Sequence, residues 1–327
     1  MKFLSIFFFF VFIFFFSFTL FKYFPFFAKK FNLIDTPNDF NIHKNPTPTS
    51  AGIIFIFLFL PGILFLHFFY NFQLPKNYFL IYFGVFAIFL IGFIDDKKNI
   101  HPFIRLIIQA SVVYICLAIF DLQSLTLPLK VTMFFLIYFW VYLINIINFT
   151  DGSDGFLATN SIVFFVGVFL FYFYNEVYNI SFSVSLVFLP ILSAFLFFNK
   201  PLAKIFMGDS GSMAIGFCIG YCALELILIG KFFIVISLLS YTFIDCTYTI
   251  IKKIINGNYP WARMFDYQFL VPIKNNLGHK YVFRYNLIFN IINLIIIILQ
   301  IFTNMGILCL ISIFLSIILI LKYNNKI

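Results

Sequence analysis

Residues 145–155 read NIINFTDGSDG and follow an almost uninterrupted apolar run. Asn145, Asn148, Asp151 and Asp154 recur at three-residue steps, so a helix persisting to Asp151 would carry them slowly around one face. Gly152 and Gly155 are expected to loosen that helix into a turn. Amide and carboxylate oxygens are hard ligands suited to Mg²⁺, which takes one or two carboxylates and completes its shell with water and phosphate oxygens. A helix end with capping Asp and Gly accounts for any one of these residues, but poorly for all of them together.

Four further stretches could carry chemistry. In 92–109, GFIDDKKNIHPFIRLIIQ, the adjacent Asp95 and Asp96 would repel each other by roughly 3 kcal/mol at about 5 Å and an effective dielectric of about 20. Lys97, Lys98 and Arg105 are the local cations that could compensate, and a solvated charged turn is the bland reading. In 198–212, FNKPLAKIFMGDSGS, Asp209 is either a helix N-cap or a ligand. The glycines, the helix start and Lys204 also suit an anion site. The stretch 35–52, DTPNDFNIHKNPTPTSAG, has prolines that enforce an extended path, with His43 and Lys44 as donors; alone it reads as a linker. The stretch 252–282 offers Arg263, Tyr267, Gln268, Lys274, His279 and Lys280, a basic loop with amide and aromatic groups fit for a phosphorylated polar substrate. His279 reads equally as a surface residue or as an acid–base group. Asp245, inside an apolar run, costs about 3 kcal/mol unless partnered, so it is expected to face a bundle interior.

The elements that must position these groups are membrane helices. Of 327 residues 63% are hydrophobic and 10% charged, and the mean hydropathy is +1.06. Such a chain is an all-α, polytopic integral membrane protein. Eleven spans are expected, near 3–24, 51–70, 78–94, 103–120, 129–147, 160–175, 181–198, 211–229, 231–251, 283–302 and 304–322. The first is too long for a signal-peptide core and lacks a small-residue cleavage site, so it stays a span. The five cysteines fall in apolar runs without C-x-x-C spacing, which indicates neither zinc nor a disulfide framework. In a soluble chain the net charge of +9 would point to nucleic acid; here charge reports topology and no nucleic-acid partner is implied. Lys2, Lys76, Lys130 and Lys231 fall on one side and the rest of the 21 Lys and Arg on the other. That asymmetry places the N-terminus outside and the C-terminus in the cytoplasm. The polar motifs then share the cytoplasmic face, in loops 25–50, 95–102, 148–159, 199–210 and 252–282 of a single domain spanning 1–327. Outer loops are short, and no polar path is expected across the helices. An enzyme at the inner leaflet fits this better than a transporter of an anionic solute, the principal rival.

At these motifs the chain resembles the polyprenyl-phosphate N-acetylhexosamine-1-phosphate transferases, glycosyltransferase family 4, which include the phospho-N-acetylmuramoyl-pentapeptide transferase. The resemblance rests on D-T-P-N-x(4)-H-x(2)-P-T-P-x(3)-G at 35–52, Asp95–Asp96 with Pro102, Arg105 and Gln109, N-x-x-N-x-x-D-G-x-D-G at 145–155, and F-N-x-P-x-A-K-I-F-M-G-D-S-G-S at 198–212. Tyr267, Gln268 and Gly278–His279–Lys280 are similar to the bacterial branch that initiates O-antigen and lipopolysaccharide-type surface glycans. The resemblance implies transfer of an aminosugar-1-phosphate from a UDP-N-acetylhexosamine to undecaprenyl phosphate at the cytoplasmic face of the bacterial inner membrane, releasing UMP. It also implies dependence on Mg²⁺, with Mn²⁺ able to substitute. On that basis Asp209 and Asn148 are assigned to the metal, and Arg105 and Lys204 to phosphate. Asp95, Asp96 and Asp151 form the catalytic set: Asp95 and Asp96 are assigned to the arriving lipid phosphate, which one of them deprotonates or positions, Asp151 to the metal or its waters, and Asp154 with the Gly155 turn to the uracil end. Asn145, Arg263 and His279 complete the substrate-binding set. Phe40 and Thr49 stand where the family usually has Arg, Phe265 where it has His, and Ser50–Ala51 where it has glycines. These departures leave a non-catalytic relative as a third reading. The identity of the sugar, direct attack against a covalent intermediate, and the oligomeric state, a homodimer included, are left open.

Overall fold

The computed structural model of the protein describes residues 2–37, 45–70, 78–120, 122, 128–262 and 266–324. Phe40, His43, Lys44, Arg263 and Phe265, singled out above, lie outside the described residues. The α-helices are α1 (Lys2–Lys30), α2 (Gly52–Tyr70), α3 (Phe79–Lys98), α4 (Pro102–Cys116), α5 (Leu129–Phe149), α6 (Phe156–Tyr174), α7 (Ile180–Asn199), α8 (Gly208–Leu228), α9 (Phe232–Ile255), the short α10 (Val271–Lys274), α11 (Gly278–Thr303) and α12 (Cys309–Tyr323). All but α10, with α4 and α12 counted together with their flanking 3₁₀ turns, are long and apolar enough to cross a membrane. The chain is an all-α polytopic membrane protein.

At one end of the bundle the helices outrun the apolar segments. The runs stop at 24, 94 and 251 and resume at 283, whereas the helices reach Lys30, Lys98 and Ile255 and resume at Gly278. Hydropathy marks only the length that lipid covers, while backbone hydrogen bonding continues until a cap ends it. These added turns carry Asp95, Asp96 and His279.

The most enclosed helices are α7 and α8, and α1 and α12 lie at the rim. Packed along α3 and α5, α8 is rich in Gly, Ser and Ala, whose small side chains let helix backbones approach closely in lipid. Trp140 of α5 is buried against it, its indole N–H donating to the Phe217 carbonyl at 2.9 Å. Much of the Phe-rich α1 faces outward, as at Phe8, Phe12 and Phe15.

The expectation of no polar path across the helices is corrected by α11. Asn286 donates to Thr159 Oγ1 at 2.8 Å, Asn290 to Asn160 Oδ1 at 2.7 Å and Asn293 to the Ser237 carbonyl at 2.9 Å, while Ser237 donates to Gln300 at 2.8 Å. Single amides dispersed through a very apolar helix vanish in a hydropathy average, yet spacings of three, four and seven align them on one face. The seam consists of neutral groups bonded to one another.

Two segments close over the polar end. Strands β1 (Ile34–Asp35) and β2 (Thr47–Pro48) pair antiparallel, with Ile34 opposite Pro48. The ladder then passes to another motif: Phe206 N–H donates to the Pro48 carbonyl at 2.7 Å, and the amides of Ala51 and Gly52 donate to the Phe206 and Met207 carbonyls at 3.1 Å. On the other side Asp245 is buried and accepts from Tyr241 Oη at 2.9 Å and from the Gln268 and Phe269 amides at 2.8 and 3.3 Å. The carboxylate expected to face the interior thus anchors the loop before α10. Tyr267 on that loop stacks on Phe149 at 5.6 Å, beside the turn that carries Asp151.

Candidate active site

Adjacent on the last turns of α3, Asp95 and Asp96 escape mutual repulsion by turning to different partners. Asp95 Oδ2 pairs with Arg105 Nη1 at 2.6 Å, and its Oδ1 accepts the Ile100 amide at 2.6 Å. Both groups are buried, so this ion pair closes the turn between α3 and α4. Asp96 reaches across to α8. Its Oδ1 accepts the Asp209 amide at 2.7 Å, and its Oδ2 accepts the Ser50 hydroxyl at 2.7 Å and the Ser210 amide at 3.4 Å.

Asp96 is therefore the N-cap of α8, supplied from a different helix. A helix start leaves amide donors unpaired and carries a partial positive charge, which a carboxylate satisfies. This revises two expectations. Asp209 does not cap its own helix, and the amides that looked available to a substrate anion are already taken by Asp96. Gly208, at φ +76°, makes the turn possible: a Cβ there would lie 2.6 Å from Asp96 Oδ2.

Freed from capping, the Asp209 carboxylate points into the site. Its Oδ1 accepts Asn148 Nδ2 at 2.9 Å, and Asn148 Nδ2 lies equally close to Ser212 Oγ. Its Oδ2 is 3.6 Å from Arg105 Nη1. Where α5 ends, a 3₁₀ turn over Thr150–Gly152 carries Asp151. Among the described residues nothing donates a hydrogen bond to the Asp151 carboxylate, while the charges of Asp209, Asp96 and Asp154 all act on it repulsively.

The second half of the site is held by the turn before α6. Asp154 Oδ2 accepts the Leu202 and Ala203 amides at 3.1 and 3.2 Å, pinning the loop that leads to α8. His279 Nδ1 lies 3.2 Å from the Asp154 amide and 3.3 Å from Ser153 Oγ. A backbone amide only donates, so Nδ1 acts as an acceptor there, and its 3.6 Å approach to Asp154 Oδ1 is secondary. Gly155, at φ +71°, has its amide bonded to Asn199 Oδ1 at 3.0 Å, and a Cβ would lie 2.7 Å from the Phe283 ring.

The structure thus gathers Asp95, Asp96, Arg105, Asn148, Asp151, Asp154, Gly155, Asp209 and His279 at one end of the bundle. Asn145 is not part of that surface. It is buried one turn deeper, with Nδ2 donating to Gln109 Oε1 at 2.7 Å and to the Val141 carbonyl at 2.8 Å. Lys204 is exposed; its backbone amide donates to the Phe198 carbonyl at 2.7 Å. Ser50 and Asn199, absent from the candidate set, tie the cluster together; both sat inside quoted motifs, but nothing in their spacing announced a partner.

The residues present fit a magnesium ion. A carboxylate that receives no hydrogen bond among the described residues and is repelled by three others when ionised calls for a cation, and Asp209, Asn148 and Asp151 offer hard oxygens. Among the described residues no three carboxylate, imidazole or thiolate groups form a ready-made cage. Mg²⁺ keeps several waters and substrate oxygens and needs only one or two carboxylates.

The chain is similar to known proteins. A family model described as glycosyl transferase family 4 matches residues 78–227, the span that runs from α3 through most of α8. A phospho-N-acetylmuramoyl-pentapeptide-transferase of Sulfurimonas denitrificans is 32% identical over 295 residues, covering 77% of this chain and 80% of the relative. The chain belongs to glycosyl transferase family 4. Another similar member, a probable undecaprenyl-phosphate N-acetylglucosaminyl 1-phosphate transferase of Bacillus subtilis, is 26% identical over 249 residues, 70% of this chain and 66% of the relative. A phospho-N-acetylmuramoyl-pentapeptide-transferase of Campylobacter lari is 29% identical over 255 residues, 64% of this chain and 68% of the relative. In this family 4 chain the matched segment contains every clustered candidate except His279.

Proposed function

We propose that this membrane transferase moves an N-acetylhexosamine-1-phosphate from a UDP-sugar to undecaprenyl phosphate at the cytoplasmic leaflet and releases UMP. The observation that carries the reading is the Asp151 carboxylate, which has no hydrogen-bond donor among the described residues and feels the charge of Asp209, itself bonded to Asn148, in a chain of this family. A phosphate oxygen of the lipid attacks the β-phosphorus of the donor, the bond from that phosphorus to the bridging oxygen breaks, and UMP leaves with the oxygen.

Two anions must meet, so neutralisation and alignment dominate. Asp209 and Asn148 would hold Mg²⁺, with Asp151 on the ion or its waters, and the ion would supply positive charge to the pyrophosphate. Arg105, oriented by Asp95, adds charge beside Asp209. A phosphate monoester is largely ionised near neutral pH, so the acceptor needs no general base. Asp95 and Asp96 are therefore read as groups that place Arg105 and Asp209 rather than as proton acceptors. Asp154, Gly155 and His279 shape the pocket wall toward the nucleoside end, the exposed Lys204 is read as a phosphate contact, and Arg263 is kept as a substrate-binding candidate. Membrane lipid surrounds the site, whose substrates arrive from two phases.

A second donor, UDP-N-acetylmuramoyl-pentapeptide, is favoured by the name of the Sulfurimonas denitrificans relative. The test is UMP release by purified protein in nanodiscs with undecaprenyl phosphate and Mg²⁺, offering each UDP-sugar in turn. Lipid-dependent UMP with a UDP-N-acetylhexosamine supports the first reading, and UMP with the pentapeptide donor alone supports the second. No UMP with any donor overturns both.

A further inference from the structure

We propose that Ser50 is a positioning residue for Asp209, acting through Asp96. The inference rests on the reading of Asp209 as the metal-binding carboxylate. Ser50 is fully buried and adopts φ +63°, the left-handed region that glycine occupies without steric cost. Its neighbours hold it there: Ala51 and Gly52 are bonded through their amides to the carbonyls of Phe206 and Met207. In that conformation the Ser50 hydroxyl donates to Asp96 Oδ2 at 2.7 Å, and Asp96 Oδ1 accepts the Asp209 amide at 2.7 Å. Two hydrogen bonds therefore connect the loop before α2 to the residue that faces the proposed ion.

The electrostatics explain why a donor is needed at this position. When ionised, Asp96 repels both Asp209 and Asp151. Repulsion favours rotation of the Asp96 carboxylate away from α8, and the hydroxyl opposes that rotation from the far side. The space beside Gly208 is filled by this pair, since a Cβ on Gly208 would meet Asp96 Oδ2 at 2.6 Å and Ser50 N at 2.9 Å. Losing the hydroxyl leaves Asp96 free to turn, the first amides of α8 unpaired, and the Asp209 carboxylate displaced from Asn148.

The backbone conformation separates positioning from folding. Ser50→Gly removes the hydroxyl and relieves the left-handed strain, so it is expected to unfold at a higher temperature than Ser50→Ala. Ser50→Ala removes the hydroxyl and keeps the strain. Both variants are to be reconstituted in nanodiscs beside wild type and Asp209→Asn. Three readouts apply: deuterium uptake by the peptide covering 206–212, Mn²⁺ binding by electron paramagnetic resonance without substrate, and the steady-state dependence of UMP release on Mg²⁺. A hydrogen bond to a charged group sets the scale at about tenfold. Both variants are expected to exchange faster at 208–210, to bind Mn²⁺ about tenfold more weakly, and to recover turnover at high Mg²⁺. Unchanged uptake and unchanged Mn²⁺ affinity in Ser50→Gly would overturn the inference, even where wild type turns over normally and Asp209→Asn does not. If wild type neither binds Mn²⁺ nor releases UMP, the functional reading fails together with the metal half of this proposal. The uptake of 208–210 then still decides whether Ser50 holds Asp96.

Discussion

Three carboxylates that look alike in the sequence have different partners in the structure. Asp95 is committed to Arg105 and Ile100, Asp96 to the start of α8, and Asp151 to no donor among the described residues. Their substitutions should therefore separate. Asp95→Asn removes the nearer of the two carboxylates beside the buried Arg105, leaving Asp209 at 3.6 Å, and is expected to destabilise the protein by about 3 kcal/mol, seen as a lowered unfolding midpoint in detergent. Asp151→Asn removes an uncompensated charge and is expected to hold or raise that midpoint while abolishing UMP release. A lowered midpoint for Asp151→Asn would show that its carboxylate has a stabilising partner. Asp209→Asn should reduce turnover by about 100-fold or more, since even partners of a metal ligand cost about 10–100-fold, with the unfolding midpoint preserved. Arg105 stood among the local cations legible beforehand, but which of Asp95 and Asp96 takes it was not, because these neighbours in sequence differ only in the helix each side chain reaches.

Among the elements, the loop before α10 and the seam on α11 show two ways of holding polar groups within an apolar bundle. Asp245 gathers Tyr241, Gln268 and Phe269, so Asp245→Ala strands two buried amides and a phenol. An unsatisfied buried donor costs about 1–3 kcal/mol, and the variant is expected to unfold at lower temperature with faster proteolysis of the loop around 259–270. Unaltered cleavage there would show that the loop is held elsewhere. Asn290→Leu breaks one neutral bond of the seam, and such bonds average about 0.6 kcal/mol between membrane helices; a small loss in midpoint is the expected outcome. The runs of Phe and Ile made the eleven spans readable, yet the apolar signal ended several residues before α3 and α9 did. Asp95, Asp96 and His279, which it marked as loop, lie on helical extensions, which is what aims their side chains.

For the whole molecule, the charge asymmetry expects the motif-bearing end to face the cytoplasm. Because all five native cysteines are buried, single cysteines introduced by Lys98→Cys and Lys130→Cys report topology against a low background. An impermeant maleimide added to intact cells should label position 130 and spare 98; the opposite pattern would reverse the proposed orientation. Taken alone, the amino-acid sequence determined the class of fold, the number of spans, and the four motifs by which the chain resembles its family. Those properties follow from composition and spacing, which act locally along the chain. Only the tertiary structure decided that Asp96 caps a helix more than a hundred residues away, that Asn145 is packing rather than surface, and that Ser50 donates to Asp96. Each depends on which helices α8 packs against, because a carboxylate at the end of one helix becomes a cap, an ion-pair partner or an open ligand according to what lies opposite it.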